Sequence, residues 1–215
     1  VSSEDVAALE LIHEYCGNMA GPLFTRLRDE LGLAYYVNAT QFHGVGTGLF
    51  AFYIGTSPEQ ADLARSELLQ QINILTQEGI PEAPLNHAKT SVLACDALEN
   101  QSNHSMAQVC ALNTLFGLGP HHHLEHAERI KSITGEEILA TAQKYFGDEP
   151  VIATVAPPSP SLLALSPGLS SRRTHRVWAL SPTSAHMMHM PSAASPCDGP
   201  SSVMPPPIVK VMRWV

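Results

Sequence analysis

Residues 17–37, GNMAGPLFTRLRDELGLAYYV, carry the reading that decides the fold. Leu23, Leu27 and Leu31 recur every four residues, the spacing of one apolar stripe on a short helix. Gly32 follows where a left-handed C-terminal cap belongs, a conformation that glycine takes without steric cost. LAYYV then supplies the aromatic and β-branched residues that suit a half-buried strand. The expectation is a helix that runs into a strand through a tight corner. Arg28 lies one turn before the cap and Tyr35 three residues beyond it. Both side chains donate hydrogen bonds, so together they could hold a carbonyl or a developing oxyanion. The plainer alternative is an exposed helix arginine and an ordinary strand tyrosine. Tyr35 and Tyr36 are strand neighbours and face opposite ways, so one packs inward and one stays available.

On the N-terminal side, SEDVAALELIHEYC reads as a helix capped by Ser3, with acids in its first turn. Val6, Leu9 and the Ile12/His13 step make its apolar stripe. On the C-terminal side, LAYYVNATQF and GLFAFYIGT read as two strands joined by HGVGTG. A G-x-G-x-G run suggests a phosphate loop, but such loops feed a helix, whereas a strand follows here. A hairpin turn is the expectation. Ser57-Pro58-Glu59-Gln60 starts a helix with Ala61, Ala64, Leu68, Ile72 and Leu75 inward and Gly79 at its end. A further helical region carries Leu85, Ala88, Val92 and Cys95, breaks near ENQSNHS and resumes in MAQVCALNTLFGLG. Thr134 and Glu137 form a capping box ahead of Ile138, Ala142 and Tyr145. VIATV, residues 151–155, is a short strand. Strands set apart from a long run of helices predict an α+β fold, an antiparallel sheet packed on one face by several helices.

The run RLRDELGLAYYV resembles the signature of the C-terminal domain in the insulinase/pitrilysin family of zinc metallopeptidases, the processing-peptidase-like half. Such domains carry a small-residue turn, a helix ending in arginine, and Gly-Leu-x-Tyr opening a strand. Here these are GNMAGPLF, Arg28 and Tyr35. The resemblance continues through AFYIGTSPEQ, EAPLNHAKTSV, ITGEEILATAQKYF and VIATVAP, covering residues 3–156. It implies two facing halves, one with the zinc and the general base, the other with an arginine and a tyrosine that bind the substrate backbone. Arg28 and Tyr35 would take those catalytic roles. The implied partners are a peptide substrate and a homologous zinc-bearing domain or subunit, with zinc in that partner half and no cofactor in this chain. Family domains usually begin with a strand ahead of the first helix. Its absence here predicts an open sheet edge. The alternative within the family is a non-catalytic structural or assembly subunit.

Charge divides the chain. Up to residue 156 there are seven Lys and Arg against nineteen Asp and Glu, whereas from Pro157 there are five against one. The acidic part argues against nucleic acid, whose phosphates need clustered Lys and Arg. No stretch reaches the ~20 apolar residues of a membrane helix. Cys16, Cys95, Cys110 and Cys197 show no C-x-x-C spacing and read as free thiols. That favours a reducing, cytoplasmic setting. The start at Val1 reads as a fragment boundary and leaves the periplasm open. Two regions follow: a peptidase-like domain over 1–156, and a tail over 157–215 with eleven prolines and no periodicity, which predicts disorder.

His122-x-x-Glu125-His126 matches the His-x-x-Glu-His pattern of inverted zinc peptidases. In the family that pattern belongs to the other half. Downstream carboxylates Glu128, Glu136, Glu137 and Glu149 all lie too near in sequence to serve as the remote third ligand. No metal ligand is assigned here, and adventitious surface binding by the histidines is the expectation. The chain alone should then not hydrolyse peptides.

Overall fold

The computed structural model describes residues 3–43, 48–155, 175–178 and 208–214. It is an α+β fold. The helices are α1 (Ser3–Gly17), a π-helix (Phe24–Glu30), α2 (Ala61–Glu78), α3 (Glu82–Glu99), α4 (Asn103–Leu115), α5 (His122–Ser132) and α6 (Gly135–Phe146). The strands are β1 (Tyr36–His43), β2 (Gly48–Gly55), β3 (Val151–Val155), β4 (His175–Trp178) and β5 (Ile208–Trp214). Among the described residues the sheet order is β1-β2-β5-β3-β4, antiparallel except for the β3–β4 pair. None of the described helices is long and apolar enough to cross a membrane.

β1 and β2 form the expected hairpin, in register from Tyr36 opposite Gly55 to His43 opposite Gly48. Helices α1 and α2 pack on these strands. Phe146 of α6 closes an aromatic cluster with Phe50 and Phe52 of β2, ring centroids 5.0 and 5.4 Å away. On α2 the inward set is Ala64, Leu68, Ile72 and Leu75. Ala61 is only half-buried because Pro58–Gln60 forms a 3₁₀ turn and α2 starts after it. The Thr134/Glu137 capping box is present on α6, and Ser102 caps α4 at the expected break.

Helix α1 departs from a simple stripe. Ala7, Ala8, Leu9, Leu11, Ile12 and Cys16 are all buried, because α1 packs against β1, α3, α5 and α6. A helix enclosed by neighbours buries more than one face. Its acidic side chains meet partners on three other helices. Asp5 accepts from Tyr145 Oη on α6 at 2.7 Å, Glu14 accepts from Ser91 Oγ on α3 at 2.6 Å, and Glu10 pairs with His126 on α5 at 2.7 Å.

The disorder expected from residue 158 does not hold for residues 175–178 and 208–214, which are strands. The rest of the region beyond residue 155 lies outside the described residues. β5 pairs antiparallel with both β2 and β3, so the sheet interior between them is filled instead of open. Its sequence, IVKVMRW, has the β-branched and aromatic content of a strand, a signal diluted when composition is averaged over the whole proline-rich region.

Candidate functional site

The corner that leads from α1 into β1 is built by a π-helix. Leu31 N donates to Arg26 O at 3.1 Å, an i to i+5 bond, and Leu33 N reaches Leu27 O at 2.8 Å. The wider turn still buries Leu23 and Leu27, while Leu31 is half-buried. Gly21 is needed at the entry, since a Cβ there would clash with the Tyr15 carbonyl oxygen. Gly32, at φ +61°, is the left-handed cap that turns the chain into β1. Single π-turns of this kind recur at functional sites.

Arg28 lies on the outer side of this turn with its guanidinium carbon 4.7 Å from the Phe24 ring centroid, a cation–π stack. The neighbouring Arg26 instead takes up the carboxylates. Its Nη1 is 2.7 Å from Glu30 Oε2 and its Nε is 3.7 Å from Glu67 Oε2. Among the described residues Arg28 therefore has neither an ion pair nor a side-chain hydrogen bond. Stacking on Phe24 covers the guanidinium face and leaves its edge donors open.

Tyr35 precedes β1 and extends its pairing, with its backbone N–H donating to Gly55 O at 2.8 Å. Its side chain is 77% exposed, and its ring sits edge-on to Tyr36 at 6.1 Å. Tyr36 is the half-buried member of the pair. It stands 5.9 Å from Tyr53, and burial, then Tyr53, raise its phenol above the ordinary value. Arg28 and Tyr35 thus flank the Gly32 corner as two exposed donors. They share no hydrogen bond with each other.

The histidine run does not assemble as a zinc-peptidase pattern. Glu125 is largely exposed and 3.7 Å from His122 Nδ1, while His126 turns to Glu10. Among the described residues, Glu10, Asp96 and His126 form the one group of three or more His, Cys, Asp or Glu with ligand atoms mutually within 4.8 Å. Neither His122 nor Glu125 belongs to it. The hydrogen bond to Glu10 raises the His126 pKa, against burial, and burial followed by the charge of Glu10 raises that of Asp96. Sequence reasoning missed this group. Its members come from α1, α3 and α5, and no local spacing links them.

The family profile described as the peptidase M16 inactive domain matches residues 1–92. An uncharacterised zinc protease of Rickettsia bellii is 25% identical over 149 residues, covering 66% of this chain and 34% of the relative. Another, from Rickettsia felis, is 28% identical over 149 residues with the same coverage. The chain therefore spans about a third of the length of these relatives. The solved peptidase M16 inactive domain from Pseudomonas fluorescens shares the fold at a TM-score of 0.59 and 19% identity, covering 65% of this chain and 34% of that one.

Proposed function

We propose that in this chain, whose residues 1–92 match the peptidase M16 inactive domain, Arg28 and Tyr35 bind the backbone of a peptide substrate. A zinc-bearing half, in the same protein or another, performs the hydrolysis. The carrying observation is that two donors on either side of the Gly32 corner are exposed and have no side-chain hydrogen-bond partner of their own. A peptide carbonyl offers the acceptor that both lack. A guanidinium edge supplies several N–H groups in a fixed fork, and a phenol supplies one O–H. Donors placed where negative charge develops lower the barrier without reorganising. The zinc and the general base belong to the partner half, and this chain's part is to orient the substrate and stabilise the oxyanion.

The experiment supplies the zinc-bearing half in trans and compares steady-state kinetics with thermal melts. Tyr35→Phe removes one donor and little packing, and should lower turnover on the order of a hundredfold. Arg28→Lys keeps the charge and loses the planar fork, so backbone recognition should weaken. Both melting temperatures should stay within a few degrees of wild type, because each side chain is exposed. Wild-type rates in both variants would leave the corner purely structural and favour an assembly role.

A further inference from the structure

Glu10, Asp96 and His126 each bring a ligand atom within 4.8 Å of the others, and among the described residues none of the three forms a salt bridge with a lysine or arginine. Two carboxylates therefore share a single imidazole. The Asp96 carboxylate makes no side-chain hydrogen bond among the described residues, although burial already penalises its charge. The Glu10 and His126 side chains keep 25% and 22% of their surface exposed, which leaves a route from solvent.

We propose that Glu10, Asp96 and His126 form a binding site for a divalent cation of the zinc class, joining α1, α3 and α5. An imidazole nitrogen among the donors favours zinc-like ions over magnesium or calcium, which prefer oxygen alone. Zinc bonds of about 2.1 Å place tetrahedral ligand atoms roughly 3.4 Å apart. The present spread, from 2.7 Å between Glu10 and His126 to the 4.8 Å bound, reaches that with small side-chain rotations. Glu10 Oε2 and His126 Nε2 separate slightly and the ion enters between them, while Asp96 moves in. Water completes the coordination. The cation offsets the unbalanced carboxylate charge and fixes three helices that come from distant parts of the chain. This site is separate from the Arg28–Tyr35 corner and does not depend on the role assigned there.

The test strips the full chain with a chelator and titrates it with zinc, then with magnesium, by calorimetry. Cobalt absorption reports the coordination. One zinc per chain should bind, and magnesium should bind far more weakly. Asp96→Asn is the deciding variant, because no hydrogen bond is lost with the charge. It should weaken zinc binding at least tenfold with an unchanged circular dichroism spectrum. His126→Gln should act in the same direction, and the double variant His121→Ala/His122→Ala should bind as wild type does. Wild-type affinity in Asp96→Asn overturns the proposal, as does the absence of stoichiometric zinc binding. Loss of binding in the His121/His122 variant with Asp96→Asn unaffected would assign the metal to the surface histidines and overturn it equally.

Discussion

Arg28 is available because Arg26 is not. Two arginines two positions apart on the π-turn point to different neighbours, and the ion pairs to Glu30 and Glu67 hold only the first. Removing the Arg26–Glu30 pair should cost little stability, since exposed salt bridges contribute ~0–1 kcal/mol. The same contrast of access governs the thiols. Cys16 is buried in the core, and burial pushes its thiol up to about 12, whereas Cys95 is exposed on α3. The thiolate is the reactive form, so Cys16 stays inert at neutral pH. In the native chain a maleimide should label Cys95 and spare Cys16, and in urea it should label both. Peptide mapping by mass spectrometry reads the outcome, and comparable native labelling of Cys16 would show that its enclosure is wrong.

Two local devices hold the elements in place, and each makes a separate prediction. The π-turn depends on Leu27, which is fully buried, and on the left-handed Gly32. Leu27→Ala should destabilise by about 2–5 kcal/mol through lost burial and the cavity left behind. Gly32→Ala should cost about 1–2 kcal/mol, because a Cβ disfavours that backbone conformation even though no atom lies within 4 Å of it. Urea melts of the two variants check both values, and a wild-type midpoint in either would contradict the packing described. At the start of α6, Glu137 is held below its ordinary pKa first by the Thr134 backbone N–H and further by Arg129. A carboxyl depressed in the folded state stabilises above its unfolded pKa and loses that contribution as pH falls through the folded value. Glu137→Gln should therefore be less stable than wild type at pH 7, with the gap closing as pH drops below the usual carboxylate range. A gap that persists at low pH would exclude the charge as its source.

At the scale of the whole molecule, β5 joins β2 to β3, and without it two strand edges would face solvent. Unpaired edges recruit other chains. A chain ending at residue 207 should melt at lower temperature and form larger species in size-exclusion chromatography with light scattering. A monomer of unchanged stability would mean that the β2–β5–β3 pairing contributes nothing. The features legible in sequence were those coded within about one helical turn: the Gly32 cap, the Thr134/Glu137 box, the break before α4, and the inward Ala64, Leu68, Ile72 and Leu75. Arg28 and Tyr35 were legible as positions, but their availability depended on how Arg26 and Tyr36 were taken up by neighbours. Residues Leu23, Leu27 and Leu31 announced a helix, and only packing at the corner set its turn to the wider π geometry. Helix α1 looked like a surface stripe because enclosure by α3, α5 and α6 leaves no local periodic mark. Glu10 meets His126 from 116 positions away, and β5 enters the sheet from the far end of the chain. Local propensity is written in neighbouring residues, whereas ion pairs and strand slots depend on which distant partner the folded backbone brings within reach.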